Sequence, residues 1–151
     1  MNKHITRGLL LAALLAGTHN VFAENITMNV TTTQAAPVGL QQLIDRHFAI
    51  WNNTDAAERA KAFAGVYTSD FFVADPGGLN EGAERVNAAI SHVQSQHPGF
   101  RFTPAPVEWN HGIARVTWGY GPKENPIQVR GEDIFTVSHG KLSSARVFLS
   151  Q

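Results

Sequence analysis

The stretch VRGEDIFTVSHGKLSSARVFL, Val129 to Leu149, reads as two strands joined by a tight turn at His139-Gly140. Its first arm alternates with period two, so Val129, Gly131, Asp133, Phe135 and Val137 share one face. Arg130, Glu132, Ile134 and Thr136 share the other. The more apolar face therefore carries a carboxylate. Burying an unpaired charge is among the costliest things a fold can do. Either Asp133 has a partner, or the space it faces is not an ordinary core.

Working outward, IARVTWGYG (113–121) and FRFTPAPVEW (100–109) flank a turn at Asn110-His111-Gly112, so everything after Gly99 reads as strand. Upstream the period changes. Leu40, Leu43, Ile44, His47, Phe48 and Trp51 recur at the three-and-four spacing of an amphipathic helix. Asp55 and Glu58 form a capping-box pair that opens a second, short helix with Ala60, Phe63 and Tyr67 along one side. FFVADPGG (71–78) is a strand closed by Pro76-Gly77-Gly78. A third helix, from Gly82 to Gln96, buries Val86, Ala89, Ile90 and Val93 and stops at His97-Pro98-Gly99. Helices segregated from an antiparallel meander predict an α+β domain.

The chain has 151 residues, suited to one domain, and its 43% hydrophobic and 16% charged content is globular rather than disordered. Twelve basic and 12 acidic residues balance, with no basic stripe, which argues against nucleic acid as a partner. Lys3 and Arg7, the apolar run GLLLAALLAG and the small residues Val21 and Ala23 make the three-part pattern of a signal peptide at 1–23, cut after Ala23. That run is too short to span a bilayer as a stable helix, so no membrane association is expected after its removal, although a retained anchor is the alternative. Residues 24–37 are a polar, Thr-rich lead, with an edge strand at 26–31 as the competing possibility. The domain proper spans 38–151. Without cysteine the chain has neither disulfides nor a thiolate nucleophile, which fits a secreted or periplasmic bacterial protein.

The order and spacing of LIDRHFAIWN, YTSDFFVADPGG, HPGFRF, ARVTWGYGP and GEDIFTVSHGKL resemble the SnoaL-like group of the nuclear transport factor 2-like superfamily. The resemblance covers roughly residues 38 to 151. It implies a strongly curved antiparallel sheet wrapped around a long N-terminal helix, with two further helices, as a cone. The mouth of such a cone holds a pocket for a small hydrophobic ligand. It also implies a homodimer, and activities that range from isomerase, polyketide cyclase and dehydratase chemistry to none at all.

Within that frame Asp133 is the first candidate for an acid or base, because SnoaL-like cyclases place an aspartate on the strand before the Gly-Lys hairpin. An apolar wall disfavours the charged carboxylate and suits it to moving a proton beside a carbonyl. The plain alternative is an aspartate bonded to an arginine or a backbone amide. Asp75 shares a face with Phe71 and Val73 and is a second candidate, unless it merely caps its Pro-Gly-Gly turn. His47, on the apolar stripe of the first helix, is the natural partner of either, or else a hydrogen-bonded core histidine. Trp51, Tyr67, Trp118, Tyr120 and Phe135 are candidate ligand-binding walls, though aromatics fill ordinary cores as well. His111, in its turn, is a weaker ligand-binding candidate whose default is exposure. No His-x-x-x-His or His-plus-carboxylate spacing appears, so no metal site is expected. Phosphate loops and Gly-x-Ser-x-Gly elbows are absent too, which leaves chemistry without a cofactor. The non-catalytic alternatives are a ligand carrier and a dimeric interaction module.

Overall fold

Leu40, Leu43, Ile44, His47 and Phe48 form one buried stripe on helix α1 (Leu40–Asn52) in the computed structural model, which describes residues 35–150. The expected signal peptide at 1–23 and most of the expected polar lead at 24–37 lie outside the described residues. Helix α2 (Ala56–Val66) is capped by Asp55, whose Oδ1 accepts from the backbone N–H groups of Ala57 (2.8 Å) and Glu58 (3.1 Å). The reciprocal half of the expected capping box is missing. Asn53 Oδ1 takes the Asp55 N–H at 2.9 Å, and Glu58 pairs with Lys61 instead.

The inward face of α2 differs from the expected one. Arg59, Phe63 and Val66 are buried, Ala60 is exposed, and Tyr67 is the first residue of strand β1. The spacing of 59, 63 and 66 is as helical as that of 60, 63 and 67, but a charged residue hides it. Arg59 is 1% exposed, and among the described residues no carboxylate lies within salt-bridge distance of it. Its Nε donates to Asn87 Oδ1 at 2.6 Å, Nη1 to Asn53 O and Gln94 Oε1, and Nη2 to Ser91 Oγ and Asn87 O. A fully satisfied guanidinium can be buried where a bare one cannot. It ties α2 to helix α3 (Ala83–Gln96), on which Val86 and Ile90 are buried.

The sheet contains β1 (Tyr67–Asp75), β2 (Gly78–Glu81), β3 (Arg101–Pro104), β4 (Glu108–Asn110), β5 (Ile113–Gly121), β6 (Val129–Ser138) and β7 (Lys141–Leu149). Its order is β2-β1-β7-β6-β5-β3, with β4 also paired to β5. The sheet is mixed rather than wholly antiparallel. The strand that follows the first two helices, β1, lies beside the last strand and runs parallel to β7. FRFTPAPVEW, expected as one strand, is split into β3, which ends at Pro104, and β4 around Ala105–Val107, where Pro106 has no N–H to continue the ladder. Register shifts between Tyr67 and Phe72 and between Thr136 and Val137 mark irregularities of the kind that bend strands. The strongly curved sheet closes on α1 as a cone-shaped α+β fold. Among the described residues no helix is long and apolar enough to cross a membrane.

Candidate functional site

Strand alternation puts Asp133 and Phe135 of β6 on the concave side of the sheet, with Val116 and Ala114 of β5 directly opposite them. One pair further along, Trp118 faces Gly131. A Cβ at Gly131 would run into the Trp118 ring and sit 2.7 Å from Phe148 O, so only glycine leaves room for the indole there. The indole lies across that gap, and its Nε1–H donates to Asp133 Oδ1 at 2.9 Å.

The other oxygen, Oδ2, faces helix α1. His47 Nε2 stands 3.7 Å away, near enough for electrostatic interaction but beyond a hydrogen bond. On the far side of the imidazole, Nδ1 is hydrogen-bonded to the Tyr67 hydroxyl at 2.9 Å. Aromatic rings fix the imidazole plane: Phe135 at 4.8 Å and Phe48 at 5.0 Å both meet it edge-on. Burial pushes the Tyr67 phenol well above its ordinary value, and the Asp133 charge adds to that. Tyr67 is therefore a neutral O–H. Burial also raises the Tyr120 phenol.

These groups border a cavity of about 290 Å³, near the lower end of the volumes that hold small molecules. Helix α1 contributes His47, Phe48 and Trp51; β5 contributes Trp118 and Tyr120; β6 contributes Val129 and Asp133. Val73, Ala145 and Val147 supply aliphatic wall from β1 and β7, and Val93 from α3. His97, Leu149 and the exposed Pro76-Gly77 turn form the rim. Phe102 joins the walls, with its ring stacked on Tyr120 at 4.3 Å and edge-on to Trp118 at 5.1 Å. Buried acid and imidazole at the floor of an apolar cup can exchange a proton with a bound molecule.

The structure thus brings together Asp133, His47, Trp51, Trp118 and Tyr120 of the expected residues. Among the described residues Asp133 has neither an arginine nor a backbone amide as its partner. Asp75 lines the rim, but its Oδ1 accepts from the N–H groups of Gly77 (2.7 Å) and Gly78 (3.0 Å) and closes the turn. Three expected wall residues are elsewhere. Tyr67 lies behind His47, stacked on Phe71 at 4.0 Å, and does not border the cavity. Phe135 is fully buried and packs on His47 from beneath. His111 is exposed in its turn, with a positive φ of 42° and Nδ1 bonded to Asn110 Oδ1. Phe102 and His97 were not anticipated. The alternation of Phe100 and Phe102 was a usable signal for the first, whereas His97 sits at a helix end where no periodicity speaks. Among the described residues no group of three or more His, Asp or Glu side chains is placed to hold a metal ion.

A family model described as "SnoaL-like domain" matches residues 44–145. No curated protein matches the chain. Among solved structures, the chain is similar to a protein of the SnoaL-like family from Agrobacterium tumefaciens provisionally assigned as an isomerase. The two are 20% identical with a TM-score of 0.67, covering 73% of this chain and 96% of that one. A provisionally assigned polyketide cyclase from Sinorhizobium meliloti is 14% identical with a TM-score of 0.59, covering 72% and 94%. A de novo designed protein with a curved β-sheet is also 14% identical with a TM-score of 0.59, covering 77% and 88%. A designed chain superposes as well as a natural one, so these likenesses establish architecture and leave chemistry to the site.

Proposed function

The chain belongs to the family of SnoaL-like domains, and on that footing we propose that it binds a small, largely apolar molecule and performs cofactor-independent acid–base chemistry on it. One observation carries the proposal. The carboxylate at the floor of the apolar cavity has one oxygen held by Trp118, while the other makes no hydrogen bond among the described residues. A group so placed has a lone pair to offer a ligand and a neighbour, His47, to share charge with. The fitting substrate class is a flat, enolisable carbonyl compound. Its ring would lie against Trp51, Phe102 and Trp118, and Asp133 Oδ2 would take a proton from carbon beside the carbonyl. Isomerisation, cyclisation and dehydration all share that step.

A carrier that holds the same molecule unchanged is the second reading, favoured by the same hydrogen-bonded acid, which can anchor a ligand hydroxyl as readily as act on it. An interaction module draws less support. The exposed apolar Leu79 and Phe148 on the outer sheet face are separated by Arg146, and Glu132 flanks Phe148 on its other side. Export is part of the proposal and rests on residues 1–23 alone. The mature protein recovered from a cell envelope should begin at Glu24.

Native mass spectrometry of protein purified without denaturation tests the binding claim. A small copurifying molecule, displaced by added 2-tetralone with a change in tryptophan fluorescence, is the expected result. An empty protein whose fluorescence ignores apolar carbonyl compounds would count against it.

A further inference from the structure

Tyr67 has no place on the cavity wall, yet it is 4% exposed and spends its hydroxyl on a histidine rather than on a backbone carbonyl. The direction of that hydrogen bond matters, because an imidazole that accepts at Nδ1 must carry its proton at Nε2 when neutral. Three features fix the direction. The phenol keeps its proton, since burial and the nearby Asp133 charge both oppose ionisation. The Trp51 indole N–H, which can only donate, lies near enough to act on the phenol and has no full hydrogen bond among the described residues. The acceptor side of the phenol thus faces Trp51, and its proton is directed to His47. Finally, the opposite tautomer would place a bare Nε2 lone pair 3.7 Å from Asp133 Oδ2 and strand the phenol O–H without an acceptor.

We infer that Tyr67 is a positioning residue: its hydroxyl donates to His47 Nδ1 and holds the imidazole as the Nε2–H tautomer, which aims a donor at the open oxygen of Asp133. The chain Tyr67 O–H, His47 Nδ1, His47 Nε2–H, Asp133 Oδ2 runs from the interior behind α1 to the cavity floor. At 3.7 Å the Nε2–H stops short of a hydrogen bond to Oδ2 but stands ready to stabilise negative charge there. Trp118 does the same for Oδ1 through a full hydrogen bond. The functional consequence rests on Asp133 being the acid–base group; the tautomer does not.

Long-range proton–nitrogen correlation of the histidine rings, in ¹⁵N-labelled full-length mature protein at mildly alkaline pH, tests the inference without any ligand. In the wild type His47 should show a protonated Nε2 and a bare Nδ1. In Tyr67→Phe the Nδ1–H form should appear. A wild-type His47 protonated at Nδ1, or a Tyr67→Phe pattern identical to wild type, would overturn the inference. The wild-type spectrum alone decides if the variant does not fold. For function, Tyr67→Phe should slow deuterium exchange into saturating 2-tetralone without raising KM. A correct tautomer in a protein whose exchange ignores Asp133 would uphold the inference while the acid–base reading fell.

Discussion

Trp118 reaches Asp133 only because Gly131 lies between them: the indole N–H donates to Oδ1 at 2.9 Å across the space where a Cβ would sit. The two residues act as one device. Replacing Trp118 with Phe removes a donor from a buried carboxylate and should cost about 1.5–3 kcal/mol. Gly131→Ala forces the ring aside and should cost about 1–3 kcal/mol. Urea unfolding of each variant measures these losses. The double variant should lose less than the sum, since the residues share one contact.

Alkaline pH should destabilise the fold through its tyrosines. The chain has two, Tyr67 and Tyr120, and both phenols are raised by burial. Above about pH 10 the unfolded chain loses phenol protons that the native state keeps. The unfolded state then binds fewer protons, so stability falls by up to about 1.4 kcal/mol per pH unit for each affected tyrosine. That stability is fully present below the ordinary phenol value and is lost as pH rises through the raised one. Tyrosinate absorbance should appear together with unfolding, and Tyr67→Phe should flatten the decline.

Arg59 is predicted to be a structural keystone without a role in the pocket. Arg59→Ala leaves Asn87, Gln94, Ser91 and the Asn53 carbonyl without their shared donor. A loss of about 2–4 kcal/mol is expected by thermal or urea unfolding. Arg59→Lys should recover little, because a single ammonium cannot span acceptors arranged for a planar fork.

Asp75 and His111 should separate cleanly from the floor of the site. Asp75→Asn keeps an oxygen that can accept from Gly77 and Gly78, so both stability and any turnover should change little. His111→Asn replaces an exposed, left-handed turn residue with one that tolerates that backbone better, and ligand binding should be unaffected. Binding titrations by tryptophan fluorescence check both.

Much of this was legible in the sequence for identifiable reasons. Period-two alternation put Asp133 on the inner face, and helical spacing put His47 on the stripe that faces it. What alternation cannot give is depth. Tyr67 and Phe135 point inward as expected, but one lies behind the histidine and the other beneath it. Arg59 was hidden because a charge at a helical position reads as solvent-facing, and its acceptors, Asn87, Ser91 and Gln94, lie on another helix. The parallel pairing of β1 with β7 is a property of topology that no local pattern records.

In the proposed function Asp133 faces a bound molecule and moves its proton. Deuterium exchange into the α-position of 2-tetralone, followed in wild type and Asp133→Asn with binding monitored in parallel, tests it most directly. Exchange should exceed the buffer rate in the wild type and fall by about 100-fold or more in the variant, with binding retained. Equal exchange in the two proteins would contradict it.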